Sequence, residues 1–261
     1  MEYSEGYLAF IDILGFSKYV STDENGPKTY DLFEFVKKFC YLFNTSPQLD
    51  VQVSFFSDTI ILTSTDLDKL LLPIWIAESY LKDKLELLFR GGIVYGKYYH
   101  TNGTTFGPAV VSGYALENKA IYSRILISED IAITEDKNIF YFMDIDGCRC
   151  INPYGMIFTE VLSSGPEGTI YPDNITDEIV AQYTKHRSEL LKQIDQHRGS
   201  SVVEKYLWRL RPYNYTCNFI QNMPAGEMLY EDVGYAINDE LKEKISAHII
   251  PENEVLYPSL H

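Results

Sequence analysis

The apolar positions of this chain switch between strand-like runs and helix-like spacing, and the switches mark its elements. Tyr7-Leu8-Ala9-Phe10-Ile11 is an apolar run of strand length, interrupted by Asp12, and Gly15 and Ser17 then read as a turn opening a short helix to Val20. Asp23-Glu24-Asn25-Gly26-Pro27 breaks that helix. A stronger one is predicted from Lys28 to Phe43, where Leu32, Phe33, Phe35, Val36, Phe39, Cys40 and Phe43 follow helical spacing on a broad face. Val51–Phe56 and Thr59–Thr63, rich in Val, Phe and Ile, read as two strands folded about Ser57-Asp58. Asp66 is expected to cap a helix reaching Leu81.

Leu87 to Gly96 is a third apolar strand, with Arg90 as its one charge. Lys97–Thr105 reads as a hairpin around Asn102-Gly103, on which His100 is expected to be exposed. A helix from Gly107 to Tyr122 and strands at Ile125–Ser128 and Ile139–Met143 complete this half. Ser163-Ser164-Gly165-Pro166-Glu167-Gly168 has linker composition. Beyond it, Thr176 is expected to cap a helix to His197 with His186 on a solvated face. Helices are also predicted over Val202–Gln221, interrupted or kinked at Pro212, and near Asp239–Ala247. The expected class is an α/β sandwich over residues 1–162 with a mostly helical extension over residues 163–261.

Composition narrows the function classes. The chain has 261 residues, 46% of them hydrophobic, with 21 Tyr and 14 Phe, which supports a large folded core. A net charge of −15 argues against a broad nucleic-acid surface or an anionic membrane as partner. A small nucleotide arriving with its own cations needs only local positive charge. Cys40, Cys148, Cys150 and Cys217 make neither a disulfide framework nor a zinc motif and read as reduced thiols. The acidic start Met1-Glu2-Tyr3-Ser4-Glu5 does not resemble a signal peptide, no apolar run reaches membrane-spanning length, and a cytoplasmic location is expected.

Asp12, Asp58 and Arg90 each interrupt an otherwise apolar strand, where an ionised group is costly unless compensated. Two carboxylates on neighbouring strands suit divalent cations, and a nearby guanidinium suits phosphate, so the trio fits phosphoryl transfer. The other reading is an internal ion pair between Arg90 and one of the carboxylates.

Phe10-Ile11-Asp12-Ile13-Leu14-Gly15-Phe16-Ser17 resembles the first metal-binding motif of class III nucleotidyl cyclases, a family with a ferredoxin-like catalytic domain. Ser57-Asp58 resembles the bend carrying that family's second metal aspartate. Arg90-Gly91-Gly92-Ile93-Val94-Tyr95-Gly96, the run Gly107–Glu117 and then Ile125–Ser128 are similar to the strand, helix and strand that follow, in register over residues 5–145. The resemblance implies Mg²⁺ or Mn²⁺, two ions per site, on Asp12 and Asp58, with the Ile13 backbone as a further ligand. It also implies that Phe16 and Ser17 N–H groups hold the terminal phosphates, that Arg90 holds the phosphate chain, and that the site is shared in a head-to-tail homodimer.

The departures bear on the substrate. Val111 and Ala115 stand where the family usually has its Asn and transition-state Arg, and the purine-reading Lys and Asp fall near Ser54 and Thr104. The whole chain, with Lys205-Tyr206-Leu207-Trp208 and Tyr213-Asn214, resembles the pyrimidine cyclases of the bacterial Pycsar anti-phage system. Those enzymes make cyclic UMP or cyclic CMP, which switches on a separate effector. Either Phe55 or Phe56, by strand alternation, is expected to crowd a base pocket against purines, unless both are core. Lys97 and Arg149 are candidates for the phosphate cation that no family position supplies. Three readings stay open: a uridylate cyclase, a cytidylate cyclase, and an inactive nucleotide-binding regulatory relative.

Overall fold

The computed structural model describes residues 2–23, 26–101, 103–133, 139–157, 175–226, 228–230 and 235–251. The chain forms two compact units, one of Met1–Thr134 with Met143–Ile151, the other of Glu135–Phe142 with Asn152–His261. The predicted linker at Ser163–Gly168, and with it the expected 162/163 boundary, lies outside the described residues.

In the first unit, β1 (Ser4–Leu14) is followed by α1 (Phe16–Thr22), α2 (Pro27–Asn44), β2 (Gln52–Phe56), β3 (Thr59–Ser64), α3 (Leu71–Leu85) and β4 (Leu88–Thr101). The strands pair antiparallel in the order β2-β3-β1-β4, which is the βαββαβ pattern of a ferredoxin-like α/β sandwich. Then come β5 (Thr104–Phe106), α4 (Pro108–Glu117), β6 (Ile125–Ile127), β7 (Tyr141–Met143), whose first two residues belong to the second unit, and β8 (Arg149–Ile151). β6 pairs parallel to β4, and β8 joins it at Leu126 and Cys150.

Alternation along β1 divides the core. Ala9, Ile11 and Ile13 are fully buried on one face with Ile60 and Leu62, under the apolar stripes of α2 and α3. On the other face Leu8, Val94 and Tyr98 pack against Ala109 of α4, with Phe10, Ile61 and Leu116 alongside. Gly113 permits this approach, because a Cβ there would sit 3.0 Å from Leu8 Cδ2 and 3.1 Å from Phe10 Cβ.

Several elements differ from the reading of the sequence. β1 begins at Ser4 rather than Tyr7 and continues through Asp12 to Leu14, because pairing with β4 along its whole length supports residues that their own apolarity does not. Asp66 does not cap α3. It accepts a 3.0 Å bond from the Asp68 N–H, and a 3₁₀ turn precedes the helix. β4 extends to Thr101, α4 stops at Glu117, and the short strand β8 carries too few residues to show a pattern.

The second unit contains α5 (Ile175–Gln196), α6 (Val203–Asn222), the β9–β10 hairpin (Met228–Tyr230, Tyr235–Ala236) and α7 (Asp239–Ser246). Thr176 lies inside α5 rather than capping it, and α6 continues through Pro212. His186 is buried, not solvated, because it falls in the stripe Ile179, Tyr183, His186, Leu190, and its ring meets Tyr154 edge-on. Trp208 packs against Phe142, and Tyr206 stacks on His197. Among the described residues no helix is long and apolar enough to cross a membrane.

Candidate active site

Asp12 and Arg90 stand directly opposite each other on β1 and β4, and Thr59 is Asp12's neighbour on the β3 side. β1 outruns β3 at this end, and the freed Ile13 N–H donates a 2.8 Å bond to the Asp58 carbonyl. That single bond ties the β2–β3 turn to β1 one residue beyond Asp12. Ser57 makes the turn with a φ of 56°, a left-handed conformation uncommon for a residue with a side chain. Both aspartates remain partly exposed at the end of their strands.

A fourth charge enters from α4. Glu117, the one charged residue of a helix otherwise made of small, apolar and aromatic side chains, is 2% exposed at its C-terminal end. Its Oε1 lies 2.7 Å from Arg90 Nε, and the same Nε is 3.5 Å from Asp12 Oδ2. Burial pushes the Glu117 carboxyl above its usual range; the Arg90 guanidinium opposes this, and the charges of Asp12 and Asp58 add to it. Gly92 allows the helix to come so close, since a Cβ there would lie 2.7 Å from Leu116 Cβ and 2.9 Å from the Glu117 nitrogen. The sequence reading passed over Glu117. Its lone charge in the run Pro108–Glu117 was the available signal.

Two carboxylates, Asp12 and Glu117, thus face one guanidinium, and the charge of Asp58 acts on the same group, an excess of negative charge that a hard divalent cation would compensate. Among the described residues no cluster of three or more His, Cys, Asp or Glu side chains is arranged to hold a metal. Asp12, Asp58 and the Ile13 carbonyl are oxygen donors of the type Mg²⁺ and Mn²⁺ take, with water and phosphate completing the shell. The donor chemistry fits those ions.

Phe16 and Ser17 are the first two residues of α1, where N–H groups have no helical acceptor. Gly15, at φ 82°, turns the chain from β1 into that helix.

Ser54 bonds the residue next to Thr104. Thr104 is exposed and opposite Thr101, whereas Thr105 donates to Ser54 Oγ at 3.0 Å. Ser54 Oγ in turn lies 2.7 Å from His100 Nε2, and His100 Nδ1 lies 2.8 Å from Thr63 Oγ1. His100 is therefore 7% exposed rather than on an open hairpin, because the outer part of β4 returns over the sheet with β5. Burial lowers its pKa to about 4.

Phe56 is not a core residue. It is 83% exposed, because β2 is the outer strand beside β3, and Phe55 is half-buried. Lys97 is exposed and belongs to the file of β4 residues opposite to Arg90's. Arg149 is occupied by the Ile131 carbonyl at 2.6 Å.

No protein-family model matches the chain, and no curated protein matches it at a significant level. Among solved structures, it is similar to the monomeric guanylyl cyclase domain of a RhoGC fusion protein from the aquatic fungus Blastocladiella emersonii. The two share 17% identity over 49% of this chain and 85% of that one, with a TM-score of 0.35. An adenylate/guanylate cyclase/hydrolase from Silicibacter pomeroyi is 16% identical over 58% of this chain and 96% of that one, with a TM-score of 0.37. The catalytic core of a rhodopsin-guanylyl cyclase with converted specificity, in complex with ATPαS, is 14% identical over 58% of this chain and 98% of that one, with a TM-score of 0.40.

Proposed function

We propose that the chain is a nucleoside-triphosphate cyclase that converts UTP to 3′,5′-cyclic UMP and pyrophosphate, with CTP as the alternative substrate. The observation that carries this reading is Asp12 directly opposite Arg90, with Asp58 tied in by the Ile13 N–H. In the reaction the 3′-hydroxyl oxygen gives up its proton to solvent water and bonds to the α-phosphorus, the bond from that phosphorus to the oxygen bridging to the β-phosphate breaks, and pyrophosphate carries off the released electron pair. Mg²⁺ or Mn²⁺ on Asp12, Asp58 and the Ile13 carbonyl would acidify the attacking hydroxyl and offset phosphate charge. Arg90 neutralises charge building on the phosphate chain, and the N–H groups of Phe16 and Ser17 take its terminal oxygens. The choice of a pyrimidine rests on the resemblance described above. So do the homodimer with a shared site and the separate effector in antiviral defence.

The contacts of Arg90 with Asp12 and Glu117 favour one second reading, an inactive relative in which this ion pair is only structural. Incubation with each of the four ribonucleoside triphosphates and Mn²⁺, with chromatography of products and a pyrophosphate assay, separates the two. The cyclase reading expects cyclic UMP, with turnover abolished and the fold kept in Asp12→Ala and Asp58→Ala. Triphosphate binding without pyrophosphate release supports the inactive relative. Wild-type turnover in either variant refutes the mechanism.

A further inference from the structure

Arg90 Nε is shared unequally. It is 2.7 Å from the buried Glu117 carboxylate and 3.5 Å from Asp12, the partly exposed one. Each of those acids has a different use for the guanidinium. Glu117 is 2% exposed, and its burial as an ion is compensated by Arg90. Asp12 has a cation as a competing partner if the cyclase reading holds. A guanidinium free to close over Asp12 would compete with that cation for the same oxygens.

We propose that Glu117 is a positioning residue that holds the Arg90 guanidinium toward the end of α4 and so weakens its competition with a divalent cation for the Asp12 carboxylate. The proposal rests on the cyclase reading for the cation and on the geometry above for the restraint. Glu117 takes no part in the chemistry. Its position depends on Gly92, which lets the last turn of α4 lie against β4. Without Glu117, Arg90 has Asp12 as its remaining near acid among these contacts, and the cation has to displace it.

The test is a double-mutant cycle read by Mn²⁺ binding alone, with calorimetry on the full chain and no nucleotide. Glu117→Leu, which keeps side-chain volume, is expected to weaken Mn²⁺ binding roughly tenfold, with Glu117→Gln in between. In an Arg90→Ala background the same Glu117 substitutions are expected to change nothing, because the competitor is gone. In turnover, the Mn²⁺ concentration for half-maximal rate rises, and saturating Mn²⁺ largely restores kcat. Equal weakening with and without Arg90 means that Glu117 acts directly on the cation and overturns the positioning role. Unchanged binding in both Glu117 variants also overturns it. Glu117→Gln keeps the test usable where the leucine variant fails to fold. If the wild-type chain itself binds no Mn²⁺, the cyclase reading falls and the proposal with it; if only the coupling is missing, the cyclase reading stands.

Discussion

Gly92→Ala perturbs the site without touching a charged group. The added Cβ would lie 2.7 Å from Leu116 Cβ, 2.8 Å from Leu116 Cγ and 2.9 Å from the Glu117 backbone nitrogen. Carbon atoms rest about 3.5–4.0 Å apart, so the last turn of α4 must withdraw by on the order of 1 Å. Overpacking of this kind costs about 1–3 kcal/mol, and each kcal/mol lowers the melting temperature by about 2–4 °C for a domain of this size. The same shift carries Glu117 away from Arg90, now 2.7 Å apart. Misplacement of about 1 Å can cost on the order of a hundredfold in rate. Gly96→Ala is the control on the same strand, since its Cβ would meet Ala109 Cβ at 3.5 Å, an ordinary contact. Melting curves and UTP turnover for both variants are the assay. If Gly92→Ala melts and turns over like Gly96→Ala, α4 does not hold the site through this contact and the reasoning fails.

Three further outcomes follow from local physics. His100 has its folded-state pKa lowered to about 4 against 6.5 for the free side chain, so between those values the unfolded chain binds the extra proton. Its contribution, on the order of 3 kcal/mol, is complete above pH 6.5 and is lost as the pH falls toward 4. Urea unfolding of His100→Gln should therefore show a flatter pH dependence in that window, and an unchanged slope would exclude His100 as its source. Ser57→Gly relieves a φ of 56° at the turn beside Asp58 and is expected to add up to about 1 kcal/mol of stability; a loss would show that the Ser57 side chain is needed there. Asn238 caps α7 by accepting the Leu241 N–H at 2.8 Å, so Asn238→Ala should cost about 1 kcal/mol in a thermal melt, and no change would mean that water replaces the cap.

Much of the first unit was legible because strand and helix periods are local properties. The apolar runs at β1, β2, β3 and β4 and the stripes of α2 and α3 identify themselves without reference to any partner. A charge within an apolar strand is conspicuous for the same reason, which is how Asp12, Asp58 and Arg90 could be singled out. Where helix ends depended on neighbours, at Asp66 and Thr176 for instance, local rules placed the caps incorrectly.

From its sequence alone the chain declared its alternation of strands and helices, two charges set into apolar strands with a third at the bend between two others, and an acidic balance unsuited to polyanions. The tertiary structure decided which of those charges meet: Asp12 faces Arg90 because β1 and β4 pair in one register, and Glu117 joins them because Gly92 leaves room for α4. It also buried His100 by returning the end of β4 over the sheet and left Phe56 exposed on an outer strand. The physical reason is that hydrophobic period is written in neighbouring residues. Pairing register, close approach and edge position are relations between segments far apart in the chain, and only their packing together sets them.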